Sequence, residues 1–279
     1  MRMTQAQIQS TPDGAILFDA GAAAQATFAP EFFDAARWQG NNGDDAVSGG
    51  RGGARFIDAP FGRCVLRHYR RGGMVARVMG DRYLWTGAER TRGFAEFRLL
   101  AALRKRDLPV PEPIAARYQR NGAHYRADLI MRRNEGVATL AELLARQRAD
   151  AQVAARVGTA IARFHANGAY HADLNAHNVL LDADTVWLID FDRGELRTPS
   201  RDWQLANLAR LQRSLRKLGA ARDGEAAFER TLWNPLMAAY ERGGAPRKRK
   251  ARFTAWVPHR PWSWVPRAPC LNATVRHCC

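Results

Sequence analysis

The chain has 279 residues, enough for one sizeable core or two small lobes, and its hydrophobic fraction of 46% is typical of a globular protein. This composition excludes disorder throughout. The sequence has no run of about eighteen apolar residues, and residues 1–5 lack the apolar core of a signal peptide. We therefore expect a cytoplasmic protein. Its four cysteines lack the paired spacing of a zinc site, and we expect them to be reduced thiols.

A formal net charge of +16 raises nucleic acid as a partner, but the distribution of the charge argues against it. Residues 244–279 hold eight Lys or Arg and no Asp or Glu, so half of the excess lies there. A second basic stretch, 63–92, sets eight arginines against Asp81 and Glu89. It is either a solvated face or a surface for anionic membrane lipids, which attract each basic residue by about 1 kcal/mol.

The amino-terminal half alternates predicted strands with helices. A glycine-rich run stands between two strand-like segments, and we assign no chemistry to residues 1–45. The strands are predicted at 15–18, 54–57, 64–69 and 125–131, and the helices at 30–38 and 89–103. The glycines of the run are Gly49, Gly50, Gly52 and Gly53. A connector at 132–136 follows the last strand.

Two predicted helices, 139–145 and 152–166, lead into a polar loop. The loop contains Asp173 and, five positions on, Asn178, and Asp190 ends an apolar run twelve residues later. Short apolar stretches at 179–181 and 186–189 predict a hairpin, which would bring Asn178 and Asp190 to the same end. A Mg²⁺–ATP site needs such groups, with one carboxylate near the attacking hydroxyl and further oxygen ligands for the metal.

The pattern H-x-D-L-x-x-x-N from His171, followed by D-F-D from Asp190, resembles the catalytic loop and metal motif of the protein-kinase-like fold. Asp192 stands where most protein kinases have Gly. The full sequence of segments 170–178 and 187–194 resembles that of the 3-deoxy-D-manno-octulosonic acid (Kdo) kinases of lipopolysaccharide core assembly. The resemblance covers roughly residues 46–240.

The resemblance implies an α+β, two-lobed protein-kinase-like fold. A small β-rich lobe would occupy 46–133 and bind nucleotide, and a helical catalytic lobe would occupy 134–243. Residues 1–45 would be a separate amino-terminal segment, and 244–279 a peripheral basic tail. Residues 203–243 carry apolar repeats at helical spacing, which suit the helical lobe.

In the resembling family Asp173 orients the acceptor hydroxyl, Asn178 and Asp190 bind Mg²⁺, and His171 braces the loop. The implied reaction transfers the γ-phosphoryl group of ATP to a hydroxyl of Kdo on a lipid A precursor, and the expected hydroxyl is the one at position 4. This places the enzyme on the cytoplasmic face of the inner membrane, bound peripherally to an anionic surface. No protein partner can be inferred.

Two alternatives remain open at this point. The first is another small-molecule kinase of the same fold, of the heptose or aminoglycoside type. The second is a catalytically idle basic adaptor that binds membrane or nucleic acid. The intact set of Asp173, Asn178 and Asp190 argues against the adaptor.

The glycine-rich run would cover the ATP phosphates, although it does not match G-x-G-x-x-G. Kinases usually hold the phosphates with a lysine, but no lysine precedes Lys105. Arg67 is the predicted substitute, since a guanidinium binds phosphate in a bidentate manner and the family resemblance implies the same arginine. Arg70 and Arg71 are rivals, because a shift of one residue in strand register reverses the inward face.

Glu96 on the predicted helix 89–103 is the expected ion-pair partner of Arg67, with Glu89 as the alternative. After Asp192 a short basic stretch replaces the longer peptide-binding segment of protein kinases, and no Ala-Pro-Glu follows. This favours a small-molecule or glycolipid acceptor. The basic residues of this stretch either meet an acidic sugar carboxylate or lipid phosphates, or face solvent. They are Arg193, Arg197 and Arg201.

The tail 244–279 differs sharply in composition, with a Lys/Arg block at 247–250 and three tryptophans among prolines. Basic residues beside tryptophan suit a membrane interface or a nucleic-acid surface. A divergent end without a defined role fits equally well.

Deleting residues 244–279 should leave phosphoryl transfer to a soluble acceptor unchanged, because the kinase-like pattern is complete before the tail. Steady-state transfer by the purified truncated chain measures this. A folded truncation that has lost transfer would contradict it.

Overall fold

The computed structural model describes residues 5–24, 27–38, 53–70 and 80–243. The predictions for Gly49, Gly50, Gly52, Arg71 and the tail 244–279 therefore fall outside the described residues.

Seven strands of the described chain form one antiparallel sheet. They are β1 (Ala6–Thr11), β2 (Gly14–Asp19), β3 (Gly53–Ala59), β4 (Gly62–His68), β5 (Tyr83–Leu84), β6 (Pro113–Asn121) and β7 (His124–Arg132). Their order is β1-β2-β6-β7-β4-β3, and β5 pairs with β7. Contrary to our expectation of a separate segment at 1–45, β2 pairs with β6, so the amino-terminal residues extend the sheet of the β-rich lobe.

The two faces of β4 contact different parts of the protein. Cys64 and Leu66 are buried on one face, in a core that the amino-terminal Phe28 and Phe32 complete. Val65 and Arg67 alternate with them and occupy the other face, as expected for a strand period of two. Arg67 therefore lies on the face that the helical elements cover.

The helix predicted at 30–38 is instead two short 3₁₀ turns, Pro30–Phe33 and Ala35–Trp38. Asp34 adopts an extended conformation between them, and its carboxylate accepts a hydrogen bond from the Ala36 N–H. An aspartate in this position ends the first turn and caps the second, which the apolar spacing alone does not reveal.

The rest of the described chain is mainly helical. The helices are α1 (Ala20–Ala23), α2 (Arg92–Arg104), α3 (Leu140–Ala145), α4 (Ala151–Ala166), α5 (Arg201–Lys217), α6 (Glu225–Phe228) and α7 (Asn234–Gly243), with a π turn at Glu229–Trp233 and 3₁₀ turns at Ala88–Arg90 and Ala176–Asn178. The short strands are β8 (Ala138–Thr139), β9 (Ala169–Tyr170), β10 (Val179–Leu181), β11 (Val186–Leu188) and β12 (Glu195–Leu196).

One apolar core joins the sheet to the helices. Phe97 and Leu100 of α2 belong to the same buried cluster as Phe164 of α4 and Leu211 of α5. Most residues of the predicted apolar stripes are buried, but Val153 and Tyr240 are half-buried and Leu205 is 42% exposed, so the buried stripe of α5 begins one turn after Leu205. The α+β fold with a β-rich and a helical lobe is confirmed.

The described part of the chain contains no helix with the length and apolarity that a bilayer span requires.

Helix α4 crosses α7 at very short range. A Cβ built on Gly158 would lie 2.1 Å from the carbonyl oxygen of Leu236, a separation that real side chains do not reach. Glycine therefore lets the two backbones touch at this crossing.

Replacing Gly158 with Ala should destabilise the protein by about 1–2 kcal/mol. Helix propensity favours alanine by about 1 kcal/mol, but overpacking against a backbone costs about 1–3 kcal/mol and dominates when the backbone must move. Chemical unfolding measures the change, with the exposed Gln152→Ala on the same helix as the control. A variant more stable than the wild type would show that α4 and α7 are not in backbone contact.

Candidate active site

His171 braces the loop that carries the predicted catalytic carboxylate. Its ring is buried, and burial lowers the pKa of the imidazole. Nδ1 accepts the Asp173 N–H at 3.1 Å, so Nε2 carries the proton and donates to the Ile189 carbonyl at 2.8 Å. A neutral histidine with hydrogen bonds at both ring nitrogens fixes the loop against the segment that precedes Asp190. This agrees with the predicted structural role of His171.

Asp173 projects from this loop with its side chain 55% exposed. Its carboxylate accepts a hydrogen bond from Asn175 Nδ2 at 3.1 Å and lies 3.5 Å from Arg210 Nη1. Asn178, which is buried, donates through Nδ2 to the carbonyl oxygen of Asp173 at 2.9 Å. The amide oxygen of Asn178 accepts no hydrogen bond from any residue that the structure describes, so it is available as a ligand.

The β10–β11 hairpin brings Asn178 and Asp190 to the same end, as the sequence predicts. Val179 pairs with Leu188, and the Ile189 N–H donates to the Asn178 carbonyl at 3.1 Å. Asp190 follows with a φ of 62°, in the left-handed region that aspartate tolerates better than most residues. Such a conformation persists only where neighbouring contacts hold it, and it turns the side chain of Asp190 towards β4.

Arg67 of β4 contacts both carboxylates predicted around it. Nη2 lies 2.7 Å from Asp190 Oδ1, and Nη1 lies 3.1 Å from each carboxylate oxygen of Glu96. Burial acts to lower the pKa of the guanidinium, but the Glu96 and Asp190 carboxylates outweigh it and raise that pKa above its ordinary value. Arg67 is therefore a permanent cation at the junction of the lobes.

Glu96 of α2 is buried and fully bonded. Besides Arg67 it accepts the Tyr69 hydroxyl at 2.6 Å and the Phe191 N–H at 3.1 Å. Burial raises the pKa of Glu96 to about 7, although the Arg67 guanidinium acts to lower it. Glu96 thus links the strand, the helix and the D-F-D segment.

The two described alternatives, Glu89 and Arg70, do not form this ion pair. Glu89 instead accepts a hydrogen bond from Arg98 Nη2 at 2.7 Å, and Arg70 is exposed and makes neither contact.

Only the end of the glycine-rich run is described. Gly53 begins β3 and pairs with His68, and its neighbour Ala54 pairs with Arg67. The run therefore enters the sheet beside the Arg67 cation. Its function as a phosphate loop stays a prediction.

The donor set at this end of the cleft fits Mg²⁺. Asn178 and Asp190 would supply oxygen ligands, and Asp192 has a buried Oδ1 without a hydrogen-bond partner among the described residues, which a metal would satisfy. Its other oxygen pairs with Arg92. No cluster of three His, Cys, Asp or Glu suited to a metal occurs in the described ranges, so phosphate and water oxygens would complete the coordination.

A cavity of about 430 Å³ is lined in part by Asp173. Two of the three predicted arginines line it, whereas Arg201 is exposed elsewhere on α5. Sequence analysis missed Arg210, which also lines it, and missed the polar α5 residues that hold the catalytic loop. A signal existed, because Asn207, Arg210 and Ser214 are spaced by three and four residues and share one helix face.

Replacing Glu96 with Ala should lower the free energy of unfolding by about 3 kcal/mol, since breaking a buried ion pair leaves a charge without its partner. The loss falls at the lower end of the usual range because Asp190 still pairs with Arg67. Glu89→Ala, in the 3₁₀ turn that precedes α2, is the control, and its exposed pair with Arg98 should contribute at most about 1 kcal/mol. Equal effects of the two substitutions would refute the central role of Glu96.

The chain is similar to known proteins over most of its length. The model of the lipopolysaccharide kinase (Kdo/WaaP) family matches residues 36–240. A 3-deoxy-D-manno-octulosonic acid kinase of Xanthomonas campestris pv. campestris is 55% identical over 219 residues, which cover 76% of this chain and 84% of the relative. The enzyme of the same name from Stenotrophomonas maltophilia is 52% identical over 215 residues, with the same coverage of both chains.

A solved structure of WaaP in complex with acyl carrier protein covers 69% of this chain and 83% of its own, at 15% identity and a TM-score of 0.44. That likeness is too distant to support an argument about fold or partner. The family match and the curated relatives show the family without it. The chain belongs to the lipopolysaccharide kinase (Kdo/WaaP) family, and it is an ATP-dependent phosphotransferase.

Proposed function

We propose that the protein transfers the γ-phosphoryl group of ATP to a hydroxyl of Kdo, at position 4, on a lipid A precursor. The observation that carries the proposal is the convergence of Asp173, Asn178 and Asp190 around one end of the β10–β11 hairpin, next to the buried Arg67–Glu96 pair. The curated relatives at 55% and 52% identity are named Kdo kinases, which supports the choice of acceptor.

Arg67 is the proposed ligand of the ATP phosphates. Its two nitrogens already bind carboxylate oxygens, and the same fork fits phosphate oxygens. Glu96 holds the guanidinium in place, because its carboxylate also accepts the Tyr69 hydroxyl and the Phe191 N–H. The Gly-rich run 49–53 is the proposed cover over these phosphates.

Asp173 is the proposed residue that orients the acceptor hydroxyl. Its exposure leaves room for a sugar, and the His171 and Asn178 contacts hold its backbone in place. Phosphoryl transfer depends mainly on such positioning and on charge stabilisation. Mg²⁺ bound by Asn178 and Asp190 would neutralise charge on the phosphates.

We also propose that the protein works peripherally at the cytoplasmic face of the inner membrane, because the proposed acceptor is a membrane lipid. Part of the basic stretch 63–92 is committed to internal contacts, since Arg67 and Arg92 pair with acidic residues of the site. Exposed Arg70 and Arg90 are available for anionic headgroups.

Asp173→Asn should lower kcat on a Kdo-bearing lipid A precursor by about 10²- to 10⁴-fold, because the variant cannot accept or orient the hydroxyl proton. The KM for ATP should change little. Radiolabelled phosphoryl transfer from ATP measures both, and NMR of the product locates the phosphate.

The matched control is Asp184→Asn, the same chemical change in the exposed turn of the neighbouring hairpin, which should behave as wild type. A folded wild type that phosphorylates a heptose acceptor but not the Kdo acceptor would overturn the proposed substrate. Full activity of Asp173→Asn would overturn the proposed catalytic residue.

A further inference from the structure

The cavity beside Asp173 is built mainly from charged side chains. Three arginines face one carboxylate there, so the described lining carries a net positive charge. The lining residues are Tyr170, Ala172, Asp173, Arg193, Arg197 and Arg210. Cations gathered in one cavity repel each other, and a bound anion relieves that repulsion.

The three arginines differ in how far their charge is already used. Arg197 lies over the Tyr170 ring at 3.5 Å and its Nε pairs with Glu195 at 3.0 Å, so one face and one donor of its guanidinium are already in use. Arg193 is 68% exposed and lies 3.9 Å from Asp192. Arg210 contacts only Asp173 among the described residues, at a long 3.5 Å. With five N–H donors and a single long contact, Arg210 keeps most of its capacity for an anion, and its side chain is less exposed than that of Arg193, at 46%.

Arg210 is held in place by the catalytic loop itself. Asn207 Oδ1 accepts the His171 N–H at 3.2 Å, and Ser214 Oγ accepts the Ala176 N–H at 3.1 Å. Arg210 lies three residues after the first anchor and four before the second, so all three share a face of α5. The two anchors therefore fix the distance between the base of Arg210 and Asp173.

We propose that this cavity binds the carboxylate of a sugar-acid acceptor and that Arg210 is the residue that selects for it. The inference rests on the proposed function, since it concerns how the acceptor of that reaction is recognised. A group bound by Arg210 lies within a few ångströms of Asp173, so it must belong to the same sugar ring as the hydroxyl that Asp173 orients. Kdo carries an acid group on that ring, whereas a lipid A phosphate is a whole sugar away.

Arg197 shapes the cavity around this anion. The Gly168 carbonyl accepts the Arg197 N–H at 2.8 Å, and a Cβ on Gly168 would lie 2.2 Å from the Arg197 carbonyl oxygen. This close approach fixes the backbone of Arg197, and the Tyr170 ring beneath it fixes the side chain. Arg197 thus borders the cavity in a position fixed by these contacts, and Arg210 supplies N–H donors for the anion.

The main test compares two acceptors and three proteins, and one further variant and one further acceptor extend it. The acceptors are a Kdo-bearing lipid A precursor and the same molecule with the Kdo carboxylate converted to a neutral amide. The proteins are the full-length wild type, Arg210→Gln and Arg213→Gln. Arg213 is the matched control, because it is an exposed arginine one turn along α5 that does not line the cavity.

We expect the wild type to prefer the acid over the amide by about 10- to 100-fold in acceptor kcat/KM, the value of one charge-assisted hydrogen bond. Arg210→Gln should lose this preference by raising the KM of the acid alone, with the KM for ATP unchanged. Arg213→Gln should match the wild type. Arg210→Lys, which keeps the charge but not the fork, should recover part of the preference.

Three results with the acid and amide acceptors would overturn the inference. They are a wild type that uses acid and amide equally, an Arg210→Gln variant that keeps the preference, and one that lowers kcat on both acceptors alike. The last would make Arg210 a positioning residue for Asp173. A precursor lacking the lipid A phosphates forms a further arm, and an Arg210-dependent loss of binding there would assign the arginine to lipid phosphate instead.

Equilibrium binding of free Kdo and of its amide, measured by calorimetry, separates this inference from the proposed function. If no protein phosphorylates the precursor, the proposed function fails. The binding arm still decides the inference, because Arg210→Gln must weaken binding of the acid and leave that of the amide unchanged.

Discussion

The contact of one buried guanidinium with two carboxylates organises the whole site. Arg67 of the sheet bonds Glu96 of α2 and Asp190 of the D-F-D segment, so three parts of the chain far apart in sequence meet at one cation. Desolvating a cation is costly unless it is paired with good geometry, and this requirement makes the arrangement specific. Glu96 also holds the D-F-D segment, since the same carboxylate accepts the Phe191 N–H and so fixes the backbone next to Asp190.

The local parts of this arrangement were predictable from the sequence. Asn178 and Asp190 were predicted to meet because a short hairpin separates them, and the structure forms that hairpin. Strand alternation and helical spacing indicated Arg67 and Glu96, since both patterns are local. The buried role of His171 also follows from its place in the motif.

The remaining parts depend on long-range packing that no local pattern contains. The pairing of β2 with β6 joins segments about a hundred residues apart, so the amino-terminal residues could not be assigned to the sheet in advance. Arg210 reaches Asp173 only because Asn207 and Ser214 dock α5 on the catalytic loop. Each of these two hydrogen bonds spans more than thirty residues, which spacing rules do not address.

The site contains two groups of charged residues. Arg67 and the side-chain oxygens of Asn178 and Asp190 form the first, for which we propose a metal–nucleotide complex, and the arginine-lined cavity beside Asp173 is the second, for which we propose an acidic acceptor. The measurement that tests this account most directly is a crystal structure with Mg²⁺ and a non-hydrolysable ATP analogue. The account predicts that Arg67 keeps Glu96 and binds the phosphates, while Asp190 leaves Arg67 for the metal. Phosphates bound away from Arg67, with the Arg67–Asp190 pair intact, would contradict it.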